Sequence, residues 1–158
     1  MILTIIYIGG RIGPSSGINI GSEMSGDIYD VMIRNIEFNV ALFASRIKSG
    51  RGRGGKVYNI TFQDLILKDT ITGLAITMYY SNEDFAPPLD ISTPHIYDIT
   101  YQNITGNVLT AGIFGCLPES ECRSLTVQDI NLYGIIGGFE CFRAKVNQIG
   151  TVIPESCL

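Results

Sequence analysis

The stretch "VYNITFQDLIL" (57–67) decides the fold. Ile60 and Phe62 alternate with polar residues, a Gln63-Asp64 step follows, and Leu65 and Leu67 resume the alternation. A period of two is that of a strand with one buried face, and the polar step marks a corner. The figure recurs in "IYDVMIRNIEF" (28–38), "IYDITYQNITG" (96–106) and "SLTVQDINL" (124–132). Val31, Ile33, Ile36 and Phe38 carry it in the first of these, and Leu125, Val127, Ile130 and Leu132 in the last. Ile99, Tyr101 and Ile104 carry it in the 96–106 copy, where Gly106 breaks the pattern. The copies at 28 and 57 are 29 residues apart, the next step is 39 and the last is 26. The excess in the middle step matches an insert, "SNEDFAPPLD" (81–90). A period of this size, made of short strands without an amphipathic helical stretch, predicts a parallel β-solenoid. Leucine-rich spacing is absent, and a β-sandwich would show hairpin turns every 8–12 residues or so.

Ile18, Ile47 and Ile76 keep a 29-residue step, so "GINIG" (17–21), "SRIKS" (45–49) and "LAITM" (74–78) are expected to stack as neighbouring strands. Ile18, Ile20, Ile47 and Ile76 then point inward, and Arg46 and Lys48 project from one outer face. The opening "MILTIIYIGG" (1–10) lacks a basic leader and a small-residue cleavage site, and it is too short to span a membrane. It reads as a buried strand. The 158 residues are expected to form one domain.

The chain has 11 Lys plus Arg against 15 Asp plus Glu, a net charge of −4. Five of those cations lie in one short segment: Arg46, Lys48, Arg51, Arg53 and Lys56. An acidic chain with one basic, glycine-rich segment argues against a nucleic-acid or membrane-surface protein and for a local site. The segment is not a phosphate loop, which needs G-x-x-x-x-G-K-[ST] before a helix. One "GRGRGG" without interleaved aromatics is no RNA tract. Arg51 and Arg53 read as a solvated turn, whereas strand geometry aims Arg46 and Lys48 at one place. Tyr79 and Tyr80 follow the "LAITM" strand and can stack on a sugar or pack.

Asp27, Asp30, Asp64, Asp98 and Asp129 sit at corners or strand edges, where capping a turn is the expected role. His95, the single His, reads as a surface residue. Four cysteines, Cys116, Cys122, Cys141 and Cys157, show no CxxC spacing; with one His they do not make a zinc site. Their even number suggests two disulfides and a secreted setting. Asn59 and Asn103 each open an N-x-T sequon, making both glycosylation candidates in that setting.

"SSGINIGSEMSG" (15–26), "SRIKSGRGRGG" (45–55), the repeated "NIT" strands and the tail "GTVIPESCL" (150–158) together resemble the polygalacturonases, glycoside hydrolase family 28. The resemblance runs through essentially the whole chain and implies a right-handed parallel β-helix. It also implies a secreted, cell-wall enzyme hydrolysing the α-1,4 links of polygalacturonate in pectin, with inversion and without a metal or other cofactor. Arg46 and Lys48 match the family's R-I-K, which binds galacturonate carboxylates, and Tyr80 corresponds to a family tyrosine downstream of it. Charge-assisted bonds from a planar guanidinium suit that task. The family's catalytic aspartates lie in N-T-D and D-D motifs, and neither motif occurs here. Ser16 stands at the position of the family's G-H-G histidine. The chain is therefore expected to be the C-terminal half of such an enzyme, to bind the acidic polysaccharide as a monomer, and to be inactive alone; the alternatives are a non-catalytic pectin-binding solenoid and a purely structural β-solenoid fragment. The tail and the short "LPESE" loop, with the resemblance, imply the pairs Cys116–Cys122 and Cys141–Cys157.

Overall fold

Among the described residues twelve non-glycine positions adopt left-handed backbone angles, and they mark the corners. Asp30, Asn59, Asp98 and Ser124 have φ of 56, 53, 54 and 51°, and Asn35, Asp64, Asn103 and Asp129 have 58, 55, 52 and 51°. Asp and Asn tolerate this region better than other side chains, because they can bond locally to the backbone. The corner role expected for the aspartates is borne out. The computed structural model describes residues 5–23, 25–80, 93–134 and 136–157.

Among these, every regular element is a strand: β1 Ile5–Ile12, β2 Ile18–Gly21, β3 Ile28–Asn39, β4 Phe43–Lys48, β5 Lys56–Thr77, β6 His95–Gly115, β7 Cys122–Tyr133, β8 Gly137–Phe142 and β9 Ala144–Ile153. All named pairings are parallel. The order β1-β3-β5-β6-β7-β9 forms two faces, and β2, β4, the end of β5, the end of β6 and β8 form a third. The chain is a right-handed parallel β-helix, the hand that parallel crossovers take.

Stacking places like on like. Val31, Ile60, Ile99, Leu125 and Val146 are register partners on one inner line, and Ile36, Leu65, Ile104, Ile130 and Val152 on another. Phe62 stacks on Tyr101 at 5.3 Å, and the ring column continues through Phe114 to Phe139. The Tyr101 hydroxyl is buried without a hydrogen-bond partner, and burial pushes its pKa far up, eased by the nearby Ser45 hydroxyl. Outside, Tyr29, Tyr58 and Tyr97 form a second stack at 4.9 and 5.0 Å. Gly106 does not break the register: it pairs with Leu67 and Leu132. At φ +145° its missing side chain would lie 2.0 Å from the Leu67 carbonyl oxygen, so only glycine fits there.

Two expectations change. Ile18 pairs with Ser45, and Ile20 with Ile47, so the first step on the third face is 27 positions and the 29-residue step begins at Ile47↔Ile76. Ile18 accordingly is only partly buried beside the core, while Ile20, Ile47 and Ile76 are buried. The opening strand exists but is not buried: Ile5, Ile6, Tyr7 and Ile8 are 41–59% exposed. Among the described residues, only β3 stacks on β1. Residues 1–4 and the insert 81–90 lie outside the described part.

Disulfides join Cys116 to Cys122 and Cys141 to Cys157, with Cα separations of 5.8 and 5.9 Å. The second ties the tail to β8.

Candidate carboxylate-binding face

β4 is pinned on both sides, Arg46 between Asn19 and Ala75, and Lys48 between Gly21 and Thr77. Ile47, between the two cations, is fully buried. Alternation about that anchor turns both cationic side chains outward. The chain after β5 then folds back: the Tyr80 N–H donates to the Ser49 carbonyl at 3.1 Å. This seats the Tyr80 ring between the cations, with Arg46 Cζ 4.9 Å and Lys48 Nζ 4.6 Å from its centroid. Arg46 also lies 4.5 Å from the centroid of the Phe43 ring. Cation–π contacts of this kind hold a charge in place without neutralising it.

Arg46, Lys48 and Tyr80 are thus brought together. Among the described residues neither cation forms an ion pair, and the Arg46 Nε is buried without a hydrogen-bond partner. Ser16 sits at the edge of this group. Its hydroxyl accepts from the Asn19 amide at 3.4 Å, and Asn19 is the register partner of Arg46. Phe43 was not singled out in the sequence. Its place under Arg46 follows from an extra outward position at the start of β4, which strand alternation alone does not foretell.

Arg51 and Arg53 correct the reading of a solvated turn. Arg51 Nη2 donates to Glu119 Oε2 at 3.0 Å, and Arg51 Nε reaches the other oxygen of the same carboxylate. The side chains are only 14% and 21% exposed. This hydrogen bond holds the Glu119 carboxyl below its ordinary value, against a smaller opposing push from burial. Arg53 pairs with Glu23. The glycine turn is therefore clamped, because Glu119 sits in the short loop closed by Cys116–Cys122. In the same loop the Ser120 hydroxyl donates to the Pro94 carbonyl at 2.7 Å and lies 2.9 Å from His95 Nδ1. Tyr79 packs: its hydroxyl donates to the Cys116 carbonyl at 3.2 Å and its ring tilts against Phe142.

Both sequon asparagines are exposed corner residues. Asn59 Nδ2 donates to Asp30 Oδ1 at 2.5 Å, and Asn103 Nδ2 to Asp64 Oδ1 at 2.6 Å. Among the described residues no cluster of three or more His, Cys, Asp or Glu side chains could hold a metal ion. No helix there is long and apolar enough to cross a membrane.

A family model for glycosyl hydrolases family 28 matches residues 3–152. The chain is 31% identical over 155 residues to a polygalacturonase of Prunus persica, covering 92% of this chain and 39% of that protein. It is 29% identical over 153 residues to polygalacturonase QRT2 of Arabidopsis thaliana, covering 90% and 35%. A probable endopolygalacturonase B of Aspergillus niger is 29% identical over 134 residues, covering 81% and 36%. The chain thus spans less than two fifths of the length of each of these curated relatives.

Proposed function

The chain belongs to glycosyl hydrolases family 28, and from that membership we propose that its β4 face is the carboxylate-binding part of a secreted polygalacturonase-like protein acting on the galacturonan of pectin. The observation that carries the reading is the pair of uncompensated cations around Tyr80. Arg11, Arg51, Arg53, Lys68, Arg143 and Lys145 all meet carboxylates; among the described residues Arg34, Arg46, Lys48, Lys56 and Arg123 form no ion pair, and of these only Arg46 and Lys48 converge on one aromatic ring. A fixed, unspent double positive charge on a flat sheet suits a row of carboxylates better than an internal partner. The disulfides fit an extracellular setting.

Hydrolysis needs a carboxyl acid to protonate the leaving oxygen and a carboxylate to activate water. Among the described residues of β2, β4, the ends of β5 and β6, and β8, the outer face carries one carboxylate, Glu140. We read the 158 residues as binding oligogalacturonate without cleaving it. One preparation assayed for binding by calorimetry and for new reducing ends tests both halves. Cleavage by the bare chain overturns the second half, and absence of any uronate binding overturns the first.

A further inference from the structure

The register rules two outward lines across the third face. One runs Asn19, Arg46, Ala75, Ile113, Glu140, and the other Gly21, Lys48, Thr77, Gly115, Phe142. Strands stack about 4.8 Å apart, so Glu140 stands about 14 Å beyond Arg46 along the helix axis. Between them the face is uncharged. Ile113 is 38% and Phe142 54% exposed. Among the described residues no ion pair or hydrogen bond occupies the Glu140 carboxylate. Arg143, 5.9 Å from the Phe142 ring, is spent on Glu121 at 3.4 Å.

A polymer laid along these lines therefore meets opposite conditions at its two ends. At Arg46 and Lys48 a free carboxylate gains two cations. At Glu140 a second free carboxylate would face a like charge, which disfavours it. Esterifying that unit removes the repulsion and offers a methyl group to Ile113 and Phe142. We infer that Glu140, with Ile113 and Phe142, is a specificity determinant that selects a methyl-esterified uronate two to three coils beyond the free carboxylate held at Arg46. The inference rests on the reading of the β4 face as a uronate site.

The test titrates the full chain with two hexagalacturonate preparations, one wholly free acid and one partially methyl-esterified, at low salt. Glu140→Gln should tighten the free-acid hexamer about fivefold and change the esterified one less than twofold, the scale of one like-charge contact near water. Phe142→Ala should weaken the esterified hexamer alone. Both side chains are exposed, so neither change disturbs the core. A ratio between the two ligands that is the same in wild type and Glu140→Gln overturns the inference. Arg46→Ala separates the two levels of the argument: if it leaves both ligands unaffected, the uronate reading of the face falls, whatever Glu140 does.

Discussion

Arg51 and Glu119 are 68 positions apart in the chain, and they close a two-pronged ion pair over the corner that follows β4. The pair fixes the glycine turn that begins at Ser49, and Ser49 in turn holds the backbone of Tyr80. Stability and site geometry are therefore linked through a contact outside the site.

Glu119→Gln should lower stability by about 1 kcal/mol near neutral pH, the range for a partly exposed pair. The folded-state pKa of Glu119 is depressed below its ordinary value of 4.5. Its contribution is therefore present above that value and is lost as pH falls through the lower folded pKa. The melting-temperature gap between wild type and Glu119→Gln should be constant from pH 5 to 8, to within about 1 °C, and close in more acidic buffer. A gap that widens in acid would contradict the assignment.

Arg46→Ala should weaken oligogalacturonate binding by roughly tenfold, the lower end for a lost charge-assisted hydrogen bond. Arg51→Ala should leave affinity within about twofold while lowering the melting temperature. Wild-type affinity should fall as salt rises from 0.05 to about 0.2 M, since exposed charges are screened over about 10 Å. Calorimetry at two salt concentrations checks all three statements.

Cys141→Ser should cost about 3 kcal/mol, because that bridge closes 16 residues of chain. The loss at Cys116→Ser should be smaller by loop entropy, with a separation of 6. Peptide mapping without reductant should recover 116 joined to 122 and 141 joined to 157. Crossed pairs would refute the linkage.

Asn103→Asp would set a carboxylate against Asp64, the acceptor of the Asn103 amide. We expect a loss of about 1–2 kcal/mol at pH 7. Apposed carboxylates raise one pKa, so the penalty is present while both are ionised and fades as pH falls through the raised value. Urea denaturation at pH 7 and pH 4 should show the variant recovering in acid relative to wild type.

Phe62→Ala should cost about 3–5 kcal/mol by opening a cavity in the ring column. Tyr101→Phe removes only a buried hydroxyl with no hydrogen-bond partner and should cost less than about 1 kcal/mol. A large loss at Tyr101→Phe would show that its hydroxyl is in fact bonded.

The inner lines at Val31, Ile60, Ile99 and Leu125 were legible because a solenoid reuses each position once per coil, so local alternation and long-range repeat reinforce each other. β1 and β9 were harder to read. The apolar residues of β1 are largely exposed and those of β9 are split between the core and solvent, and glycines such as Gly10 and Gly150 stand near positions where Asn or Asp marks the corners elsewhere. The aim of Arg46 and Lys48 followed from the buried Ile47 between them. The partner of Arg51 could not be read, because nothing local to "GRGRGG" says that a disulfide loop from a later coil lies against it. Tyr79 and Tyr80 were read alike from their place after the strand, and only the resemblance singled out Tyr80, since its seat depends on a single backbone bond to Ser49 rather than on any period.

Successive coils advance by 26, 29, 39, 26 and 21 positions along the line Ile5, Val31, Ile60, Ile99, Leu125, Val146, yet each of these residues still pairs with the next, with register shifts flanking only the last pairing. The variation falls mainly in the connections that leave the third face, from the gap between β4 and β5 to the single residue Arg143 between β8 and β9. The first of them follows Lys48 directly, and Tyr80 lies in the one after β5. Insertions and deletions can therefore remodel the banks of the channel while its bed stays fixed. A lineage could trade one bank for another without renegotiating the core, and a protein engineer could transplant a bank between homologues by cutting at the same two strand ends.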